Sequence, residues 1–418
     1  MESVRQIARF PAGAVQIPPS KSVGHRALLC AGLAPGVSEI YNAGDSQDIE
    51  AMLRCLNALG ARARGEAGGL RITGGLSPAA KPLDCGESGT TLRLLLPVAA
   101  LFAAETVFTG QGLLLKRPLG PYLDAMAAHG MRHALTEAAL TVTGPLGPGV
   151  YTLPGDISSQ YVSGLLFALP LLKGDSEIRL TTPLASASYA GLTLDMLRQF
   201  GVQARMEDAQ RILVPGGQQY RPASVSVEAD YSQAAFFLVA SALGCPCECL
   251  GLSQSSKQGD RVILDILRGS GAHIETTARG GLIARAEAPR GQTVDVTDTP
   301  DLVPPVAALL AVSEGESRIT GAGRLRYKEC DRLETVADEL RGLGADIRVD
   351  GDSLAIRGKA SLTGGRVRNH NDHRIAMMAA VAAIRCEGPV FVEGDACVAK
   401  SYPKFWEDFE KTHREARP

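Results

Sequence analysis

Six helix openings recur along this chain at nearly constant spacing, each a cap-type residue followed by a run of small and apolar side chains. They begin at Ser20 (SKSVGHRALLCAGLA), Gly89 (GTTLRLLLPVAALFA), Ser158 (SSQYVSGLLFALPLL), Asp230 (DYSQAAFFLVASAL), Asp301 (DLVPPVAALLAV) and Asp372 (DHRIAMMAAVAAI). The intervals are 69, 69, 72, 71 and 71 residues. A second series of amphipathic helices stops on Gly60, Gly130, Gly201, Gly271 and Gly344, at intervals of 70, 71, 70 and 73. Two series in step over the whole chain mean sixfold repetition of one supersecondary unit.

Each unit reads in the same order. A helix apolar on all sides, fit only for burial, is followed by a more polar helix such as Asp48–Gly60 or Asp331–Gly344. Leucines three and four residues apart give the polar helix one packed face and one wet face. The glycine at its end supplies a left-handed cap. An alternating stretch such as Ala345–Gly358 then reads as a hairpin bending at Asp350–Gly351. Pro97 and Pro170 fall within or near the ends of apolar helices, which predicts a kink or an early stop. Six units overfill one core, so three per domain is the expected division, with the boundary near Glu228. The sixth unit is cut short at PKFWEDFEKTH, and the opening segment Met1–Pro19 is expected to lend it a strand.

With a formal net charge of −2, the chain is no bulk-charge binder of nucleic acid. Any anion site must be a local concentration of Lys and Arg. A hydrophobic content of 45% fits a globular protein, and no apolar run reaches the roughly 18 residues of a membrane span. MESVRQIARF lacks the apolar core of a signal peptide, and nine cysteines without scaffold spacing point to a reducing cytoplasm.

The polar residues that break the apolar pattern stand at equivalent places in different repeats. Lys21, Ser22 and Arg26 open the first apolar helix, Arg93 interrupts the second, Ser158, Ser159 and Gln160 open the third, and His373 and Arg374 open the sixth. Arg117, Lys328 with Arg332, and Lys400 precede the polar helices. Equivalent positions in a pseudo-symmetric array face one direction, so helix N-termini and cations should converge on one cleft and bind anions. Singly, each residue has a plainer reading: Arg93 a structural ion pair, Ser158 and Asp301 caps, Tyr189 ordinary packing, Glu329 an ion pair with Lys328 or Arg332. The recurrence in register favours ligand binding. Asp301 and Glu329, the carboxylates among these cations, could then accept and donate protons.

Cys245, Cys247 and Cys249 alternate along a strand without a second ligand cluster, and His370 and His373 lack a third ligand, so no metal site is expected. Phosphate-binding loop, dinucleotide-binding, zinc-protease and serine-hydrolase motifs are missing from the sequence.

PPSKSVGHRALL (Pro18–Leu29), DCGESGTTLRLL (Asp84–Leu95), KRPLGPYLDAM (Lys116–Met126), SSQYVSGLL (Ser158–Leu166), RYKECDRLETVADEL (Arg326–Leu340), NDHRIAMMAA (Asn371–Ala380) and KSYPKFWEDF (Lys400–Phe409) together resemble the EPSP synthase family of enolpyruvyl transferases, in its order and over essentially the whole chain. The resemblance implies an α/β fold, a two-domain inside-out α/β barrel, or prism, of six βαβαββ units with three per domain. Residues 20–228 would carry repeats one to three on the shikimate 3-phosphate side. Residues 1–19 and 229–418 would form a discontinuous second domain, with the active site in the interdomain cleft. It further implies transfer of the enolpyruvyl group of phosphoenolpyruvate to the 5-hydroxyl of shikimate 3-phosphate by addition and elimination, without metal or organic cofactor. The enzyme would be a monomer whose partners are those two small molecules, with neither nucleic acid nor membrane.

By the same resemblance, Lys21, Ser22, Arg26, Ser158, Ser159, Gln160, Ser186, Tyr189, Asp301 and Lys328 would bind shikimate 3-phosphate. Lys21, Gly89, Arg117, Gln160, Arg332, Arg374 and Lys400 would bind phosphoenolpyruvate. Asp301 would accept the proton of the 5-hydroxyl, Glu329 would donate to C3, and Lys21 would join them in catalysis. The chain departs from the enteric motifs in two places. Arg324 replaces an asparagine ligand, and Glu87–Ser88 replaces an Asn–Ala pair beside Gly89, a change that bears on the response to glyphosate. Two rivals stand beside this reading: the sister enzyme acting on UDP-N-acetylglucosamine, and a binding protein for a phosphorylated sugar acid without turnover. Lys21–Ser22 in place of Lys–Asn, and no cysteine within Ala104–Lys116, weigh against the first. The two carboxylates weigh against the second.

Overall fold

The computed structural model describes residues 3–66 and 68–411. Two compact units emerge, a central one of Pro19–Glu228 and a split one of the residues up to Pro18 with those from Ala229 onward. Each has its own hydrophobic core.

The central unit carries α1 (Lys21–Leu33), α2 (Gln47–Ala58), α3 (Gly89–Ala99), α4 (Gly120–Ala127), α5 (Ser159–Ala168) and α6 (Ala187–Gln199). Every residue of α1 from Val23 to Leu33 is buried, whereas α2 buries only a stripe containing Ile49, Met52, Cys55 and Leu56. An all-apolar helix belongs inside and an amphipathic one outside, as the two sequence patterns require. The third repeat shows the unit in full. Strand Val150–Leu153 leads through α5 to the parallel strand Ser176–Leu180. From there α6 leads to a hairpin of Arg205–Met206 and Arg211–Val214, whose second strand pairs antiparallel with Ser176–Leu180. This βαβαββ order recurs in the second repeat. The first repeat takes its leading strand from the end of the unit, Ser224–Ser226 lying parallel to Gly36–Tyr41.

The split unit repeats the scheme with α7 (Tyr231–Ala242), α8 (Ile263–Gly269), α9 (Val303–Ala311), α10 (Arg332–Gly342), α11 (His373–Ala382) and α12 (Phe405–Phe409). The opening segment serves two repeats, where the sequence suggested one. Val4–Ile7 pairs antiparallel with Val390–Glu393 in the shortened sixth repeat, and Gly13–Gln16 runs parallel to Cys247–Leu250 in the fourth. Such strands are invisible to a periodic scan because they lie far in sequence from the sheets they join. The hairpin bend also moves by one residue. Asp350 pairs with Ser353, which leaves Gly351–Asp352 as the loop, and Gly351 takes φ +61°. A positive φ at the first loop position suits a type II′ turn and needs glycine. All five helix-stop glycines are left-handed, with φ between +77° and +101°. Pro97 lies inside α3, while α5 stops at Ala168 and hands over to a 3-10 turn at Leu169–Leu171 that contains Pro170. Among the described residues no helix is long and apolar enough to cross a membrane.

Within the central unit the buried helices meet at their N-terminal turns. The His25 ring lies 3.3 Å from Thr91 Oγ1, and Arg93 donates to Gln160 Oε1 at 2.8 Å, joining α1 to α3 and α3 to α5. The approach of α3 and α5 depends on Gly164. A Cβ there would lie 2.5 Å from the Arg93 carbonyl oxygen and 2.1 Å from the Tyr122 hydroxyl, which donates to that same carbonyl. Gly164→Ala should therefore cost about 2 kcal/mol of stability by overpacking. Urea denaturation reads this directly, and an unchanged midpoint would mean that the two helices have slack.

Candidate active site

The central unit gathers its share of the predicted residues around the first turns of α1, α3 and α5. Ser20 and Ser158 accept from the backbone N–H groups of Val23 and Gln160, which fixes where α1 and α5 begin. Lys21, the first residue of α1, donates to Asp48 at 2.7 Å. Gln160 is held at both ends, accepting from Arg93 and donating to Thr90 Oγ1 at 2.9 Å. Gly89 sits under two guanidinium groups. A Cβ added there would lie 2.9 Å from Arg117 Nη1 and 3.4 Å from Arg93 Nη1. Only a bare backbone leaves that space. Arg93, read alone as a structural ion-pair former, instead helps to set Gln160. Ser22 and Ser159 lie in the first turns of α1 and α5, and Ser186 and Tyr189 at the start of α6, Ser159 and Ser186 being buried.

Arg26 is 2% exposed. Its Nε donates to Thr193 Oγ1 (2.8 Å), Nη1 to the Ser22 carbonyl (2.9 Å), and Nη2 to Ser163 Oγ and the Tyr189 carbonyl (3.0 Å each). The Tyr189 ring centroid lies 5.8 Å from the guanidinium carbon. Burial pulls its pKa down to about 10, which still leaves the group charged at neutral pH.

The split unit holds a denser network. Arg332, the first residue of α10, is 1% exposed and touches three carboxylates. Its Nε donates to Asp372 at 2.7 Å, Nη1 to Asp301 at 2.9 Å, and Nη2 to Glu329. Burial opposes its charge, yet Asp372, Glu329 and Asp301 raise its pKa further. Asp301 also accepts from Lys328 (3.2 Å) and from Arg374 (3.3 Å). Burial lowers the Lys328 pKa, with Asp301 opposing it. Arg374 is further held by Ser232 Oγ at 2.9 Å, and Lys400 donates to the Asn371 carbonyl. Asp301 does not cap α9. It lies in a 3-10 turn, Pro300–Leu302, ahead of that helix, and its carboxylate takes side-chain cations. Arg324 points to the Thr297 carbonyl.

Several residues that hold these groups escaped the sequence reading: Asp48, Thr90, Ser163, Thr193, Ser232 and the buried carboxylate of Asp372. Each acts across repeats or on a neighbouring helix, where spacing along the chain carries no signal. Backbone strain offers one trace. Of four non-glycine residues at positive φ among the described residues, Ser186 (+57°) is itself a predicted site residue, His370 (+50°) and Asn371 (+57°) shortly precede Arg374, and Asn42 (+56°) lies apart from the predicted set. Among the described residues, no group of three or more His, Cys, Asp or Glu is placed to hold a metal ion.

Comparison with known proteins adds independent information. The model of a family described as EPSP synthase (3-phosphoshikimate 1-carboxyvinyltransferase) matches residues 5–409. A 3-phosphoshikimate 1-carboxyvinyltransferase of Clostridium kluyveri is 45% identical over 402 residues, spanning 95% of this chain and 94% of its own. Its counterpart in Clostridium novyi is 42% identical over 424 residues, spanning 98% and 97%. Among solved structures, EPSP synthase from Acinetobacter baumannii aligns with a TM-score of 0.79 at 28% identity, covering 98% of this chain and 97% of that one. The enolpyruvyl transferase NikO from Streptomyces tendae shares the fold, with a TM-score of 0.79 at 18% identity and coverage of 97% and 96%.

His25 ties the first turns of α1 and α3 together, with Nδ1 2.8 Å from the Lys21 carbonyl and its ring fully buried. Burial pushes its pKa down to about 4, against about 6.5 in an unfolded chain. Stability contributed by this group is complete above pH 6.5. It is lost as pH falls toward 4, because only the unfolded chain then takes up the proton. The loss across that window is roughly 3 kcal/mol. Urea midpoints measured at pH 7 and pH 4.5 should fall more steeply for the parent than for His25→Gln, and identical slopes would refute the assignment.

Proposed function

The chain belongs to the EPSP synthase family, and from that membership we propose how its side chains carry the family reaction. The enzyme transfers the enolpyruvyl group of phosphoenolpyruvate to the 5-hydroxyl of shikimate 3-phosphate and releases phosphate. The match over residues 5–409 carries this reading. In our proposal both clusters serve one pair of substrates. Lys21, Ser22, Arg26, Ser158, Ser159, Gln160, Ser186, Tyr189, Asp301 and Lys328 hold shikimate 3-phosphate. Lys21, Gly89, Arg117, Gln160, Arg332, Arg374 and Lys400 hold phosphoenolpyruvate.

In the addition step Glu329 gives a proton to C3 of phosphoenolpyruvate while the 5-hydroxyl oxygen attacks C2 and passes its proton to Asp301. In the elimination step the Glu329 carboxylate takes a proton back from C3, and the C–H electron pair forms the C2–C3 double bond. The bond from C2 to the phosphate oxygen breaks, and phosphate departs with that bond's electron pair. The arrangement around Arg332 supports these roles. Glu329 pairs with Arg332, and such pairing favours the carboxylate. An anionic substrate arriving at Arg332 competes for the guanidinium and so eases protonation of Glu329. Asp301, held by Lys328, Arg332 and Arg374, is fixed as the acceptor. The cations that remain neutralise charge on the departing phosphate. Nine cysteines, all free thiols, support placing the enzyme in a reducing cytoplasm.

The test is phosphate release from the purified protein given phosphoenolpyruvate with shikimate 3-phosphate, run beside UDP-N-acetylglucosamine. Release should require shikimate 3-phosphate, and release with the nucleotide sugar alone would change the substrate. Glu329→Gln should reduce turnover by at least a hundredfold while shikimate 3-phosphate affinity stays within a few-fold. Parent-like turnover would remove Glu329 from the mechanism.

A further inference from the structure

Among the described residues Arg332 and Arg26 are the most deeply buried arginines, and they meet the cost of burial in opposite ways. Arg332 is surrounded by Asp301, Glu329 and Asp372. Among the described residues Arg26 has no carboxylate partner, and each acceptor on its guanidinium is a hydroxyl or a backbone carbonyl. Neutral acceptors satisfy N–H groups without cancelling the charge. Two of them are side chains of the third repeat, Ser163 on α5 and Thr193 on α6, and both are fully buried. Thr193 Oγ1 lies 2.8 Å from Ser163 Oγ and 2.9 Å from the carbonyl of Tyr189. Its oxygen therefore accepts from Arg26 while its one proton is used on α5 or within α6. Through this pair, helices of the first and third repeats fix one guanidinium plane.

We propose that Thr193 and Ser163 are positioning residues for substrate recognition, holding the Arg26 guanidinium in one orientation with its charge reserved for an anionic substrate. The inference rests on the placement of Arg26 at shikimate 3-phosphate given above. Neither hydroxyl touches the substrate. They act through Arg26, because a planar fork binds an anion well only when its plane is set in advance. Replacing Thr193 by the isosteric valine removes the acceptor for Nε, and the guanidinium must turn or leave a buried N–H unmade.

Steady-state kinetics with both substrates varied provide the test. Thr193→Val should raise KM for shikimate 3-phosphate about tenfold, with kcat within twofold and KM for phosphoenolpyruvate unchanged. Thr193→Ser, which keeps the hydroxyl, should restore KM to near the parent value. Ser163→Ala should raise the same KM several-fold and serves as the probe if Thr193→Val does not fold. A general fall in kcat, equal changes in both KM values, or a Thr193→Ser variant as weak as Thr193→Val would mean packing alone and overturn the proposal. Arg26→Lys separates the two levels of inference. If it leaves KM for shikimate 3-phosphate unchanged, the placement of Arg26 fails and the proposal with it. If it raises that KM while Thr193→Val and Ser163→Ala do not, the positioning role alone fails.

Discussion

A helix that is apolar on every side must be buried along its length, yet its first turn carries N–H groups that need acceptors. Six such helices set the terms for this molecule, three in each unit. Ser20, Ser88, Ser158, Asp230 and Asp372 solve the problem locally, each accepting from the first turn of its own helix. The fifth repeat solves it differently. Its helix opens Val303–Pro304–Pro305, and prolines have no N–H to leave unsatisfied. The acidic residue in register with the other caps, Asp301, is thereby released from capping and turns to Lys328, Arg332 and Arg374. The repeat rule is broken at a residue to which we assign chemistry, as expected where function overrides local preference.

Meeting at their N-terminal turns within each unit, these helices also create the demand for charge. Asp372 caps α11 and neutralises Arg332 at once, so one buried carboxylate answers both a backbone and a side chain. Removing such a partner strands a buried cation, typically at about 3–5 kcal/mol. Arg26 carries no such debt to a carboxylate, and its lowered pKa records the burial that its neutral partners do not fully offset. One unit thus stores its carboxylates beside its cations, and the other holds a guanidinium in hydroxyls and carbonyls. The first arrangement suits proton transfer and the second suits anion recognition.

The repeat, the glycine stops and the recurring cations were legible in the sequence because each is written as spacing. Arg332, Arg374, Lys328, Asp301 and Glu329 could be singled out in that way, and the structure shows them in one network. What was not legible depends on distance in sequence. Val4–Ile7 and Gly13–Gln16 join sheets built from residues past 240, and Ser163 and Thr193 reach Arg26 from more than 130 positions away. Nothing in a single repeat encodes those meetings. They follow only once three units close on one core. Asp301 as a cap is the natural local reading, and it fails because Pro304 and Pro305 bring no N–H groups to the first turn of α9.

The strained residues connect these levels. His370 and Asn371 are consecutive left-handed non-glycine residues immediately before α11, a conformation costing on the order of 1–3 kcal/mol each. Such a cost persists only where the surroundings impose it. Asn369 accepts from the Asn371 N–H and is itself tied to Gly394, His370 reaches Glu339, and Lys400 donates to the Asn371 carbonyl. The strained turn therefore sets the start of α11 and, with it, Asp372 and Arg374. A cation placed by packing and backbone strain need not reorganise when charge develops beside it. That saving is the main way a fixed array of dipoles and charges lowers a barrier. The rigidity that the repeat enforces for burial is thus the same rigidity that electrostatic catalysis requires.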